Sequence, residues 1–202
     1  MKLYHSPTTP FGRKVMVHLI ETGRADDVIV MAVSGTPTAP GNMPVDQNPL
    51  GKIPALVLDD GTAIYDSRVI TRYLDERAGG KLYPAAPKLW QTLTLEATAD
   101  GMLDAAILMV YEVRIRPEDK RFGDWVEAQW TKVARALDAL EERWADHLNG
   151  PIDMGQVAVG CALSYLDFRH ADRNWRAGRP GLAGWYAAFA ARDSMKQTEP
   201  KA

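Results

Sequence analysis

Two short segments in the first half of the chain combine residue types that suit the binding of a peptide-like ligand. In the first, Ile53–Leu58, Pro54 precedes an apolar run, so the proline is expected to start a strand or to lie at a bend. An X-Pro bond can also be cis, which would turn neighbouring backbone polar groups outward toward a ligand. In the second segment, Tyr65–Ile70, an acid and a hydroxyl (Asp66 and Ser67) open a predicted helix.

These two segments lie in an alternating region that predicts a mixed four-stranded sheet. The predicted strands are Lys2–His5, Asp27–Val33, Ala55–Leu58 and Thr62–Tyr65, and the predicted helices are Pro10–Thr22 and Asp66–Arg77. The intervening Asp59-Asp60-Gly61 is a strong hairpin signal. The first two strands with their crossover helix should pair in parallel, whereas the hairpin is antiparallel. The expected element order is therefore β-α-β-loop-β-β-α.

From about Pro87 the sequence predicts helices almost to its end. The predicted helical segments are Lys88–Arg114, Asp119–Asn149, Asp153–His170 and Leu182–Arg192. Asp153 and Gln156 fit a capping box, and apolar residues at helical spacing behind them indicate the buried centre of a bundle. We therefore expect an α+β domain over residues 1–80, a linker over 81–86 and an all-α helical bundle domain over 87–202.

Composition and charge exclude several classes of function. The chain has 202 residues, 46% hydrophobic and 25% charged, which is ordinary for a soluble globular protein. Its net charge of −2 and the lack of a basic tract argue against nucleic acid and anionic membranes as partners. No apolar run approaches the roughly 20 residues that a membrane span needs, and the N-terminus lacks the apolar core of a signal peptide. We therefore expect a cytoplasmic protein.

Cysteine and histidine usage narrows the possible chemistry further. Cys161 is the only cysteine, which excludes an internal disulfide, a CxxC redox centre and a cysteine-based zinc cluster. Its apolar neighbours at helical spacing predict a core position. The four histidines are scattered without the spacing of metal ligands, so we predict no metal site.

Motifs along nearly the whole chain resemble those of the cytosolic glutathione transferases, in particular a serine/threonine-type bacterial branch. Asn48–Leu56 is similar to the family's loop before its cis-proline, and Tyr65–Ile70 resembles its acid-serine glutathione clamp. Ser6–Val15 resembles the serine-type active-site segment, and Gly155–Leu166 the central helix of the C-terminal domain. The segment from Arg179 to Pro200 is similar to the bacterial branch. The resemblance implies a thioredoxin-like N-terminal domain.

The resemblance also implies that the chain binds glutathione as a co-substrate. The backbone of Ile53 would pair with the cysteinyl unit like an added strand, an arrangement that Pro54 would make possible. Asp66 and Ser67 would bind the ammonium and the carboxylate of the γ-glutamyl end. Lys52 is the expected cation for the glycyl carboxylate.

Three further residues are candidates for binding a substrate. Arg13 is expected either to face the glutathione site or to be a solvated helix residue. Asp100 lies on the first long helix, where acids of this family often reach the glutathione ammonium. Tyr111 is a candidate for the wall of a second-substrate pocket, although helix packing explains it equally well.

Conjugation requires the glutathione thiol to become a thiolate. Lowering the pKa of a thiol from ~8.5 to ~6.5 takes about 2.7 kcal/mol. A hydroxyl hydrogen bond to the charged sulfur contributes roughly 1.5–3 kcal/mol, and a nearby helix N-terminus roughly 0.3–1 kcal/mol. One hydroxyl is therefore enough. Thr9 is the first candidate and Ser6 the second, with Thr8 and Tyr4 as alternatives, but Thr9 is also a good helix N-cap.

The resemblance therefore implies a cytoplasmic, homodimeric glutathione transferase that conjugates glutathione to a hydrophobic electrophile and functions in detoxification. One alternative retains glutathione but changes the reaction to peroxide reduction, dehalogenation or ether cleavage. Thiol-disulfide exchange is disfavoured because no mixed disulfide can form at Thr9. A second alternative is a non-enzymatic interaction module with the same fold.

Overall fold

A four-stranded mixed sheet forms the framework of the N-terminal part. The computed structural model describes residues 1–201, and its strands are β1 (Lys2–His5), β2 (Ile29–Ala32), β3 (Ala55–Val57) and β4 (Ala63–Ile64). The strand order is β2-β1-β3-β4, with β1 parallel to β2 and both other pairs antiparallel. The predicted mixed sheet is therefore confirmed. The second strand is shorter than predicted because a 3-10 turn occupies Ala25–Asp27.

Eight α-helices complete the described part of the chain. They are α1 (Pro10–Glu21), α2 (Ser67–Arg77), α3 (Lys88–Arg114), α4 (Gly123–Arg143), α5 (Ala145–Leu148), α6 (Met154–Arg169), α7 (Pro180–Ala190) and α8 (Asp193–Gln197). The prediction of one continuous helix over Asp119–Asn149 is wrong, since the chain leaves helical geometry at Trp144 (φ −111°, ψ 4°) between α4 and α5. Across residues 1–201, no helix combines the length and the apolar character that crossing a membrane requires.

The chain divides into two compact units. Residues 1–85 and 193–201 form the first unit, and residues 86–192 form the second, helical unit. The sequence pattern placed the last segment in the helical domain, whereas the structure packs it with the first unit. The reason is a set of polar contacts: the buried Arg13 donates to the carbonyl of Met195 (2.9 Å) and the hydroxyl of Thr198 (3.1 Å), and Ser194 donates to Glu21.

The core of the first unit lies between the sheet and the two helices α1 and α2. Leu3 on β1 pairs with Leu56 on β3, and both side chains are fully buried. They belong to one apolar cluster with Val28, which precedes β2, and with four residues of the two helices: Val15, Leu19, Ile70 and Leu74. The helical spacing of the α1 and α2 members explains why each helix buries one face against the sheet.

Asp75 joins the end of α2 to the segment that follows it. One of its carboxylate oxygens accepts hydrogen bonds from the backbone N–H groups of Lys81 (3.1 Å) and Leu82 (2.9 Å), and the other from Tyr83 (3.1 Å). The His18 imidazole lies 3.4 Å from the first oxygen. Burial acts to raise the pKa of Asp75, but the bonds from His18 and the backbone outweigh it and lower the pKa below its usual value.

We expect Asp75→Ala to lower the free energy of unfolding by roughly 3–5 kcal/mol, because it leaves three backbone donors and the buried His18 without their acceptor. Chemical denaturation followed by tryptophan fluorescence measures this loss. The matched control is Glu76→Ala, which removes the exposed neighbouring acid on α2 and should change stability by about 0.5 kcal/mol or less. Equal stability of the two variants would contradict the role given to Asp75.

In the helical unit, α3 and α6 run in the same direction side by side. The Thr92 hydroxyl near the start of α3 donates to Asp153, the N-cap of α6, at 2.6 Å. Toward the other end, the His170 imidazole lies 3.0 Å from the carbonyl oxygen of Ala106. Helix α6 is buried from Met154 to Leu166, which confirms its prediction as the centre of the bundle.

The predicted capping box at the start of α6 is half correct. The Asp153 carboxylate accepts the backbone N–H of Gln156 at 3.0 Å, as an N-cap does. The Gln156 side chain donates to the carbonyls of the preceding loop, His147, Gly150 and Pro151, rather than returning to the N-cap. Asp153 therefore caps the helix, while the Gln156 side chain stabilises the preceding loop.

Candidate functional site

The register of the sheet brings the predicted ligand-binding segments to one end of the first unit. Strands β1 and β3 are antiparallel with Tyr4 opposite Ala55, so Pro54 lies beside the end of β1. Strand β4 is antiparallel to β3 with Ile64 opposite Leu56, so the start of α2 lies at this same end. The hydroxyl segment after β1, the proline before β3 and the acid-serine pair after β4 therefore share one edge.

Ile53 has a backbone without an internal partner at this edge. The ladder between β1 and β3 stops at Ala55, and the Ile53–Pro54 peptide bond is cis. Within residues 1–201, no hydrogen bond uses the N–H or the C=O of Ile53. Such a pair of free groups next to a strand is what an added peptide strand requires.

Asn48 stabilises the loop that leads to Pro54. Its buried side chain donates to the carbonyl of Lys52 (2.8 Å) and accepts from the N–H of Leu50 (3.0 Å). Gly51 adopts a positive φ of 60° and donates its N–H to the Asn48 carbonyl at 2.8 Å. Sequence reasoning missed Asn48, although its position before Pro-Leu-Gly is a turn signal. The Lys52 side chain is exposed, and its role as a cation for a carboxylate stays a prediction.

The Thr9 hydroxyl does not cap α1. Thr9 occupies the N-cap position with extended dihedrals (φ −85°, ψ 120°) but makes no side-chain cap hydrogen bond, so the alternative of a capping side chain is wrong. Its methyl carbon lies 2.6 Å from where a Cβ on Gly12 would be, so the Thr9 side chain packs closely against this glycine. Ser6 and Thr8 have their hydroxyls 3.3 Å apart. No residue in the described chain makes a hydrogen bond with the Thr9 hydroxyl.

His5 packs against the same glycine at the end of β1. Its imidazole lies so close to Gly12 that a Cβ added to this glycine would touch the ring. The Nδ1 atom of the imidazole is buried and has no hydrogen-bond partner among residues 1–201. Burial lowers the pKa of His5 to about 4, so the ring is neutral at pH 7. Sequence reasoning missed this residue, because its spacing carries no signal.

We expect Gly12→Ala to destabilise the protein by roughly 1–3 kcal/mol, because the new methyl overlaps the His5 ring and the Thr9 methyl. Thermal or chemical denaturation measures the loss. The control is Gly184→Ala on α7, where an added Cβ has no atom within 4 Å. This control should stabilise by about 0.5–1 kcal/mol through its helix propensity. If both variants were stabilised alike, the packing described for Gly12 would be contradicted.

The lowered pKa of His5 predicts a pH dependence of stability. Because the unfolded chain takes up the proton near pH 6.5 and the folded chain only near pH 4, the contribution of His5 is complete above pH 6.5 and is lost as the pH falls toward 4. The free energy of unfolding should therefore fall more between about pH 7 and about pH 5 in the wild type than in His5→Gln. Urea titrations at both pH values measure this difference, and parallel losses would refute the assignment.

The start of α2 holds an ionised acid next to an open hydroxyl. Asp66 accepts the backbone N–H of Arg68 at 3.0 Å and pairs with its guanidinium at 2.9 Å. Burial acts to raise the pKa of Asp66, but the hydrogen bonds and charge of Arg68 and the charge of Lys14 outweigh it and lower the pKa. Ser67 is buried, yet its hydroxyl has no partner within the described residues. Sequence reasoning missed Lys14, a fully buried cation on α1.

The remaining predicted site residues lie elsewhere. Arg13 is buried in the first unit, where Met195 and Thr198 accept its hydrogen bonds, so it is not a solvated helix residue. Asp100 is buried on α3 of the helical unit, and Tyr111 is half-buried near the end of that helix. Their roles in substrate binding stay predictions.

The described residues offer no site for a metal ion. Within residues 1–201, no group of three or more His, Cys, Asp or Glu side chains is arranged to hold one. Cys161 is fully buried in α6, which agrees with its prediction as a core residue.

Comparison with known proteins gives matches in both units. Residues 8–77 match the family model for the glutathione S-transferase N-terminal domain, and residues 123–188 match that for the glutathione S-transferase C-terminal domain. The chain is 32% identical to the uncharacterized GST-like protein YibF of Escherichia coli K12, over 99% of this chain and 98% of that protein.

Two crystal structures of a glutathione transferase family member from Pseudomonas fluorescens Pf-5 are also similar. One contains bound glutathione and is 43% identical, with a TM-score of 0.96 over 100% of this chain and 99% of the other. The second contains bound S-(propanoic acid)-glutathione and is 42% identical, with a TM-score of 0.93 over 100% of both chains.

Proposed function

The chain belongs to the glutathione S-transferase family, and from this premise we propose that it conjugates the thiolate of glutathione to a hydrophobic electrophile. The observation that carries the proposal is the free backbone of Ile53 at the sheet end, where unengaged hydroxyls follow β1 and begin α2. These groups match the parts of a tripeptide thiol. The glutathione bound in a relative 43% identical to the chain supports the same ligand here.

Glutathione binding would use the sheet edge and the start of α2. The N–H and C=O of Ile53 would pair with the backbone of the cysteinyl unit. The Ser67 hydroxyl and the unpaired N–H groups of the first turn of α2 would bind the γ-glutamyl carboxylate. Asp66, which is ionised, would accept the ammonium, and Lys52 would bind the glycyl carboxylate.

Thiolate formation would depend on the Thr9 hydroxyl at the start of α1. A hydrogen bond to the charged sulfur is worth roughly 1.5–3 kcal/mol and the helix N-terminus roughly 0.3–1 kcal/mol, which together match the need of about 2.7 kcal/mol. Thr9 is favoured over Ser6 because the Ser6 and Thr8 hydroxyls lie 3.3 Å apart, close enough to engage each other. This mechanism would make the protein a member of the serine/threonine type.

Conjugation is supported further by the second Pseudomonas fluorescens structure. S-(propanoic acid)-glutathione is a thioether of glutathione, the type of compound that sulfur addition to an electrophile produces. We propose that the reaction here is of that kind and serves detoxification in the cytoplasm. Exposed apolar side chains on the first unit, Ile29, Leu50 and Val69, support assembly as a homodimer.

We expect Thr9→Val to raise the pKa of bound glutathione by about 1 to 2, because the variant keeps the shape of threonine but loses its hydroxyl. A pH titration of the ultraviolet thiolate absorbance at saturating glutathione measures this pKa. Thr9→Ser keeps a hydroxyl and should retain a low pKa, and Ser6→Ala is expected to change it little. A larger effect of Ser6→Ala than of Thr9→Val would transfer the role to Ser6.

The same titration separates the proposed function from its alternatives. Absence of binding at millimolar glutathione would contradict every glutathione-dependent reaction and would favour a non-enzymatic interaction module. Binding without a thiolate signal would favour a ligand-binding or regulatory role. Binding, thiolate formation and turnover of a generic aryl halide together are the expected result.

A further inference from the structure

The first turn of α1 has few of the features that stabilise the start of a helix. Thr9 at the N-cap makes no side-chain cap hydrogen bond, and the turn contains no acidic residue. The third residue of the helix is Gly12, which leaves room for the His5 ring but has a low helix propensity. Because a cap or an acid normally stabilises the unpaired N–H groups at this end, the turn depends on contacts from another part of the fold.

Arg13 provides such contacts through its backbone and its side chain. Its backbone N–H donates to the Thr9 carbonyl at 3.0 Å, which is the first helical hydrogen bond of α1. Its buried guanidinium donates to the Met195 carbonyl (2.9 Å) and to the Thr198 hydroxyl (3.1 Å). The Thr198 hydroxyl donates its own proton to the Ser194 carbonyl at 2.7 Å, so its oxygen is oriented to accept from Arg13.

The C-terminal segment, residues 193–201, runs along α1 in the opposite direction. Ser194 donates to Glu21 at the last residue of α1, whereas Thr198 accepts from Arg13 in the first turn. Arg13 and Glu21 are about 12 Å apart along the helix axis. The segment and α1 belong to the same compact unit, and the segment holds both ends of the helix. Only the contact at Arg13 lies within one turn of Thr9.

We infer that Arg13 is a positioning residue for the Thr9 hydroxyl and that the C-terminal segment holds Arg13 in place. This inference rests on the proposed function, in which the Thr9 hydroxyl stabilises the glutathione thiolate. A hydrogen bond weakens steeply as its geometry departs from the optimum, so a hydroxyl on a frayed turn would stabilise the sulfur less. The effect passes through the backbone bond from Arg13 to Thr9 and needs no contact between Arg13 and glutathione.

A purely structural role of the C-terminal segment predicts a different result. Packing alone would make the two ends of α1 equivalent, because the loss of either contact would loosen the segment. The positioning role distinguishes them: a change at the Arg13 end alters the pKa of the bound thiol, whereas a change at the Glu21 end does not.

The pKa of glutathione bound to the full-length chain tests the inference, and the ultraviolet thiolate absorbance measures it. Thr198→Val keeps the shape of threonine but removes the acceptor of the Arg13 bond. It should raise this pKa by about 0.5 to 1, a roughly three- to tenfold smaller ionisation constant. Arg13→Lys keeps the charge but loses the guanidinium fork, and it should also raise the pKa.

Two matched variants are the controls. Thr198→Ser retains the hydroxyl and should keep the pKa of the wild type. Ser194→Ala removes one hydroxyl from the same segment at the Glu21 end, and it should leave the pKa unchanged. S-methylglutathione, which has no ionisable thiol, should bind to the wild type and to Thr198→Val with affinities within about twofold in a calorimetric titration.

The outcomes separate this inference from the function on which it rests. An unchanged thiol pKa in both Thr198→Val and Arg13→Lys would overturn the inference and leave the proposed function intact. An equal rise in Ser194→Ala, or a parallel loss of affinity for S-methylglutathione, would also overturn it, because the segment would then only stabilise the unit. A wild type that bound no glutathione, or bound it with an unperturbed thiol, would refute the proposed function and the inference with it.

Discussion

The antiparallel pairing of β1 with β3 determines where every part of the candidate site lies. Leu3 pairs with Leu56, and both are fully buried beneath α1 and α2, so a slip of one residue would turn both strands to the wrong face. The ladder ends at Ala55 because Pro54 has no N–H to donate. The unpaired backbone of Ile53 is thus a consequence of the register that the core enforces.

The hydrogen-bond donors and helix N-termini at this edge would suit a ligand that carries negative charge. A thiolate and a carboxylate would both be stabilised there, because α1 and α2 point their positive ends at the same edge. His5 adds no charge, since burial keeps its imidazole neutral.

Local signals in the sequence were enough to predict the mixed sheet, most helix bounds and the segments around Pro54 and Asp66. They failed where tertiary contacts override a local preference. Thr9 has the chemistry of an N-cap, but its methyl packs against Gly12 and its hydroxyl leaves the helix uncapped. The contact of Arg13 with the C-terminal segment joins residues 185 positions apart, and no pattern along the chain encodes such a pairing.

The central claim is that the Ile53 backbone is the docking edge for glutathione, and hydrogen exchange at single amides tests it most directly. With saturating glutathione, the Ile53 amide should exchange more slowly because the cysteinyl carbonyl accepts its hydrogen. The Gly51 amide, already bonded to the Asn48 carbonyl at 2.8 Å, should change little. Unchanged exchange at Ile53 while glutathione is bound would contradict the account.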